Sequence, residues 1–300
     1  MYKNIIRKSV GEQIFLCLNN AVLFMLGFAT LLPFYIVIVN SVSPPEDFLF
    51  KEIIIWPSKL DLQYYKVVLG KGSTIYNAYK ITAFLATAGT FISLAITTIT
   101  AYVLAQRKLP FRSLLTLFMV FTMYFSGGMI PAYLVVRYLN LIDTVWAMII
   151  PGMIGTYNML LMRNFIMGIP GEIIEAATID GCSELCMIIK IILPISTASM
   201  ATIGLFYAVQ YWNTFSGGVL YINSAKLRPL QVYLHHILNQ ATLQNDFKEL
   251  GELMQQGRYK PPSEAVQAAT IMSATLPIIF VYPFVQKYFV KGITVGSLKG

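Results

Sequence analysis

The 300-residue chain is 56% hydrophobic and only 12% charged, with a mean hydropathy of +0.64; a soluble domain carries roughly a quarter charged residues. Too few charges are present to coat a water-soluble globule, which excludes most soluble enzymes and nearly all nucleic-acid binders. The net charge of +8 is therefore read first as membrane topology, because inner loops collect Lys and Arg, and not as a nucleic-acid footprint.

In chain order, six apolar blocks are long enough to cross a bilayer, for which roughly 20 residues suffice. They run Ile14 to Val39, Ile81 to Ala105 (or from near Tyr76), Leu114 to Val135, Val145 to Ile166, Leu193 to Phe215 and Ala265 to Phe289. They are too long and too few for barrel strands. The expected fold is all-α: a polytopic membrane protein with six transmembrane helices in one domain over residues 1–300. Lys3, Arg7 and Lys8 precede an apolar stretch about twice the usual signal core, so the first block reads as a retained helix with its N-terminus inside. With both termini inside, the inner segments carry net +6, and Arg7-Lys8 and Arg107-Lys108 abut spans as topology markers.

Catalytic signatures are missing. No GxxxxGK[ST], HExxH, GxSxG or CxxC occurs. His235 and His236 fall in a predicted external loop and read as solvated residues. Cys182 and Cys186, four apart, read as small apolar fillers of a reducing compartment, with a metal site as the alternative. None of the six blocks contains Asp or Glu. An ion-coupled carrier usually needs such groups within the membrane. The alternative reading, an ion-coupled secondary carrier or channel, is thereby disfavoured, and a membrane enzyme has no residues behind it.

The most informative segment is Gly168 to Pro194, GIPGEIIEAATIDGCSELCMIIKIILP. Pro170 suits a helix start and Glu172 the first turn. The helix should run to about Ile179 and stop at Asp180-Gly181, since glycine accepts the left-handed conformation. A second helix should start near Ser183 and merge into the fifth span near Pro194. The first helix has only about two turns and needs packing to persist.

This segment resembles the signature loop of permease subunits from binding-protein-dependent ABC importers. Glu175-Ala176-Ala177, Gly181, Ile191, Leu193 and Pro194 match that family's gapped pattern at every spacing. Ala101-Tyr102-Val103-Leu104-Ala105, with Arg107 and Pro110, resembles the inner end of the second span in sugar permeases. Trp212-Asn213 resembles a pair near the end of their fifth span, although Thr214 stands where an acid is usual. The glycine-bearing tail Lys291 to Gly300 resembles that of the MalG-like half of a heterodimeric carbohydrate permease. Within that type, the likeness is nearest to the branch serving oligosaccharides derived from polysaccharides.

The resemblance implies a type I ABC importer permease fold in a bacterial cytoplasmic (inner) membrane, with both termini cytoplasmic. Residues 168–194 would be the cytoplasmic coupling loop, 216–264 an external loop and 290–300 a cytoplasmic tail. Glu175, Ala176, Ala177, Asp180, Gly181, Leu193, Pro194 and the tail's Gly296 would contact an ATPase. The chain itself would be non-catalytic and bind no cofactor. Mg-ATP would sit on two partner ATPase subunits. A second, homologous permease subunit and an extracytoplasmic solute-binding protein would complete the assembly, with a sugar or oligosaccharide as substrate and no nucleic acid.

Aromatic rings cover apolar sugar faces and amides pair with sugar hydroxyls. Tyr207, Gln210, Tyr211, Trp212, Asn213, Tyr157 and Asn158 offer that mixture as a substrate path, with helix-packing glue or an interfacial belt as the alternative. The loop Ser216 to Glu264, including a surface helix expected over Asp246 to Gln256, and the first external loop Ser41 to Ser73 are candidate docking surfaces for a binding protein, or lids on the bundle. Lys80 reads as snorkelling or as part of a vestibule for an anionic substrate.

Overall fold

The computed structural model describes residues 9–50, 53–70, 73–239 and 264–280. Those residues hold helices and no strand. The chain divides into two compact units, Met1–Gly70 with Leu238–Thr275, and Lys71–Ile237 with Leu276–Gly300.

The first unit is dominated by α1, Val10–Val42. Ser9 caps it: its Oγ accepts from the Glu12 N–H at 3.2 Å, and the Glu12 carboxylate faces the positive end of the helix. The helix contains the expected first span and is about 50 Å long, more than a hydrocarbon core of about 30 Å requires. Its buried residues are Val39 and Ser41, while Phe24 is 75% exposed. Such a surface is intolerable in water and ordinary in lipid. Beyond α1 the chain turns back on it. The Asp61 N–H donates to the Val42 carbonyl at 2.8 Å, and the Tyr65 hydroxyl to Ser41 Oγ at 2.8 Å. The helix Glu264–Phe280 begins at the expected start of the sixth span; residues 281–289 of that span lie outside the described residues.

The second unit is built on α2, Ile75–Ala105, which takes the earlier of the two expected starts. A π-helical turn at Leu85–Gly89 interrupts it. Gly89, Ser93, Thr97 and Ala101 recur every fourth residue and are all buried on one face. That face receives α5, Thr156–Met167, and α8, Thr197–Trp212. Tyr207 and Tyr211 of α8 are 0% and 2% exposed. The Tyr211 hydroxyl pairs with Ser93 Oγ at 2.8 Å. The Tyr207 hydroxyl pairs with Thr97 Oγ1 at 2.7 Å and accepts from the Gly155 N–H at 2.9 Å.

Three expected spans are not continuous helices. The third is broken into α3, Arg112–Tyr124, and α4, Met129–Tyr138, which meet at 113°; the Ser126-Gly127-Gly128 linker supplies the break. The fourth runs Trp146–Ile149, a 3₁₀ turn Ile150–Gly152, and then α5, because Pro151 removes a backbone donor. The fifth turns by 88° between α7, Glu184–Ile195, and α8. Among the described residues, two helices are long and apolar enough to cross a membrane alone, and four spans result if each bent pair counts as one. The start of the expected external loop is helical, at Ser216–Tyr221 and over 230–239. His235 and His236 therefore lie on a helix, both exposed. The helix expected over Asp246 to Gln256 lies outside the described residues.

A polar pin joins two turns of this unit. Asp143 accepts from Ser224 Oγ at 2.5 Å, the Ser224 N–H at 2.8 Å and the Asn223 N–H at 3.0 Å. The Ser224 hydroxyl and N–H hold the carboxyl below its usual range; desolvation opposes them, and the Asn223 N–H adds a smaller lowering contribution. A carboxylate with a depressed folded pKa stabilises fully above its unfolded value and loses that contribution as pH falls through the folded one. The pin should therefore persist at neutral pH and release only below about pH 4. Protection factors at Asn223 and Ser224, taken relative to the intrinsic exchange rate at each pH, should fall in that acid window, and at neutral pH in Asp143→Ala; unchanged protection in the variant contradicts the pin. At Gly89, an added Cβ would lie 2.9 Å from the Tyr211 ring. Gly89→Val should cost about 1–3 kcal/mol, read as a lower melting temperature in detergent; an unchanged melting temperature refutes the close approach.

Candidate functional site

The most legible segment of the sequence folds as expected. α6, Gly171–Ile179, starts after Pro170 and carries Glu172 in its first turn. Pro170 stands one position earlier than a first-turn proline, at the cap. The helix closes through a Schellman motif. The Cys182 N–H donates to the Ala177 carbonyl at 3.0 Å and the Gly181 N–H to that of Thr178 at 3.1 Å. Gly181 has φ +81°, a conformation most side chains resist. Ser183 then caps α7, its Oγ accepting from the Cys186 N–H at 3.4 Å.

The two alanines of Glu175-Ala176-Ala177 face opposite ways. Ala177 is 7% exposed and joins a core with Tyr102, Met159, Met162, Met187 and Ile188, against which Ile174 also packs. Glu172, Glu175, Ala176 and Ile179 recur at i, i+3, i+4 and i+7 and form one exposed face. Ile179 is 85% exposed. Packing against this core supplies the tertiary support that so short a helix requires.

A link invisible in the linear pattern joins this loop to α2. The Tyr102 hydroxyl donates to Glu184 Oε2 at 2.5 Å. Tyr102 lies in the Ala101–Ala105 segment and Glu184 opens α7, so the two sequence landmarks are physically joined. Cys182 and Cys186 are close neighbours, with a Cα–Cα distance of 5.6 Å. The Gly181 turn and the start of α7 bring them face to face. Leu193 and Pro194 lie where α7 leaves its π-helical stretch Ile188–Ile192, two residues before the corner at Ser196. Asp180 is the C-cap of α6. Gly296 lies outside the described residues.

The predicted substrate residues separate into three groups. Tyr157, Asn158 and Gln210 line one cleft of about 540 Å³ with Pro151, Gly155 and Thr156 from the broken fourth span, and Thr122 and Met123 from α3. Tyr157 is 56% exposed and Asn158 8%. Tyr207 and Tyr211 instead stand behind that cleft, their hydroxyls bonded between helices. Asn213 caps α8 and accepts from Gln231 Nε2 at 3.3 Å. The Trp212 indole nitrogen is buried with no hydrogen-bond partner among the described residues.

The family described as binding-protein-dependent transport system inner membrane component matches the chain over residues 93–295. The chain belongs to this family. The match takes in the Tyr102–Glu184 link, all of α6 and the Tyr157 cleft. This permease is similar to the polygalacturonan/rhamnogalacturonan transport system permease protein YtcP of Bacillus subtilis, 40% identical over 92% of this chain and 96% of the relative. It is also similar to the trehalose/maltose transport system permease protein MalG of Thermococcus litoralis, 25% identical over 98% of this chain and 99% of the relative. A solved structure of a bacterial ABC transporter involved in the import of the acidic polysaccharide alginate matches with a TM-score of 0.84 and 28% identity, over 94% of this chain and 99% of that one. The chain is thus an inner-membrane permease subunit with the all-α fold of an ABC importer permease.

The opposite orientations of the paired alanines give a direct test. Ala177→Leu should overpack the core and destabilise by about 1–3 kcal/mol. Ala176→Leu, on the exposed face, should stay within about 0.5 kcal/mol of wild type. Thermal unfolding of both variants in detergent decides it, and equal effects would contradict the assignment of the two faces.

Proposed function

We propose that this chain forms half of the translocation pathway of an ATP-driven importer for oligosaccharides cut from a polysaccharide. A second, homologous permease subunit provides the other half. Two ATPase subunits bind Mg-ATP on the cytoplasmic side, and an extracytoplasmic solute-binding protein delivers the sugar. This chain is non-catalytic, and both termini are cytoplasmic. The transport systems named for its relatives, for polygalacturonan/rhamnogalacturonan and for alginate, support the substrate class.

The observation that carries the reading is the face Glu172, Glu175, Ala176 and Ile179. It is exposed and part apolar, on a helix whose opposite side is fixed in the core. Such a helix moves as a rigid body with the bundle. A cleft on the ATPase surface would take Ala176 and Ile179 as apolar contacts and pair the Glu175 carboxylate with a cation. Closure of the ATPases on ATP displaces α6. Ala177, Ile174 and the Tyr102–Glu184 hydrogen bond pass that displacement to α2 and α7. The bundle then switches between inward- and outward-facing states, a coupling of two distant sites through one two-state element. The tail around Gly296 is assigned to the same ATPase interface. Tyr157, Asn158 and Gln210 present the ring and amides of the sugar path, Trp212 and Asn213 extend it, and Tyr207 and Tyr211 hold its wall.

The test is reconstitution of the full complex in proteoliposomes. Glu175→Lys and Gly181→Pro should each leave membrane insertion intact and lower binding-protein-stimulated ATPase activity and oligosaccharide uptake more than tenfold. If both activities survive both substitutions, α6 is not the coupling element. If the tagged chain purifies without an ATPase, the importer reading fails.

A further inference from the structure

Two arginines lie outside both the coupling loop and the Tyr157 cleft. Arg112 opens α3 and Arg163 lies on α5, and they line one open cleft of about 510 Å³ with Ser113, Thr116, Leu117 and Val120. Arg112 Nε donates to the Leu104 carbonyl at 2.9 Å, and its Nη2 reaches Met167 Sδ at 3.1 Å. Arg163 Nη1 meets Thr116 Oγ1 only at 3.5 Å, and its Nε is buried with no hydrogen-bond partner among the described residues. Among the described residues, no Asp or Glu lines the cleft.

Two guanidinium groups with no carboxylate beside them repel each other, and an anion held between them relieves that repulsion. Guanidinium forks match phosphate oxygens in bidentate geometry. The cleft is also graded along α3. Arg112, Ser113 and Thr116 lie in the first two turns and Leu117 and Val120 follow, about 12 Å from the first of these residues to the last. The helix has no buried residue, and Leu114, Leu117 and Phe118 are each more than 60% exposed. Its polar end adjoins Arg107-Lys108, the basic pair that marks the inner end of the second span in the proposed topology. Basic pockets between membrane helices on the cytoplasmic side are suited to anionic headgroups.

We infer that this cleft binds the phosphodiester headgroup of an anionic phospholipid, between Arg112 and Arg163, with an acyl chain along Leu117 and Val120. A free phosphate or an acidic oligosaccharide would satisfy the arginines but not the apolar half of the cleft.

The purified, delipidated permease complex tests this. Phosphatidylglycerol, phosphatidylcholine, inorganic phosphate and an oligogalacturonate are added separately at equal ionic strength. Retained lipid is counted by native mass spectrometry and stability is followed by thermal unfolding. Phosphatidylglycerol should bind and raise the melting temperature, and the other three should not. Arg112→Gln with Arg163→Gln should weaken phosphatidylglycerol binding about tenfold or more, and Arg163→Lys should retain part of it. Equal binding of the two lipids by the wild-type complex, or full binding by the double variant, overturns the site. A response to phosphate or oligogalacturonate without one to phosphatidylglycerol overturns the lipid assignment. The wild-type comparison decides the matter if the glutamine variants do not fold.

Discussion

The second unit depends on two tyrosine hydroxyls set against a face of small residues. Inside a bilayer, helices gain little from hydrophobic burial, so close packing and hydrogen bonds must hold them together. Gly89, Ser93, Thr97 and Ala101 clear a groove along α2, and Tyr211 and Tyr207 lie in it. Tyr207 does more than join two helices. Its hydroxyl also accepts the Gly155 N–H, a donor just ahead of α5 where a helix start leaves such groups without intrahelical partners. One phenolic oxygen thus fixes three segments that the chain brings together from 110 positions apart.

α6 and the start of α7 are rooted in this same core. Ala177, Met187 and Ile188 pack in one cluster with Tyr207, Tyr211 and Tyr102. The short helix on the exposed side and the buried tyrosines are therefore parts of one packed body. A core at close-packed density transmits displacement instead of absorbing it.

Much of this was legible in the linear pattern, and the failures have definite causes. The start and stop of α6 were readable from Pro170, Glu172 and Asp180-Gly181, because local backbone chemistry decides them. The first two spans were readable because long apolar runs admit few alternatives. Pro151 marks the break in the fourth span within the sequence itself, whereas the sharp bends at Ser126–Gly128 and Ser196 were not predicted, since apolar composition persists through a bend. Gln210, Tyr157 and Asn158, singled out from separate spans by residue type, line one cleft. Tyr207 and Tyr211 carry the same sugar-like chemistry but turn inward, and residue type alone does not give direction. The stripe of small residues on α2 was the available clue to their partners. The Tyr102–Glu184 bond spans 82 positions and has no local signature.

The right-angle corner at Ser196 has a mechanical consequence. Ser196 is fully buried and joins α7 to α8 at 88°, in the manner of a bell crank with its pivot set in the core. The arm of α7 is about 18 Å long and that of α8 about 24 Å. For rigid rotation about the pivot, a shift of about 2 Å at Glu184 becomes nearly 3 Å at Trp212, directed at right angles to the input. Such a joint needs no flexible hinge: it changes the direction of a small movement and lengthens its stroke.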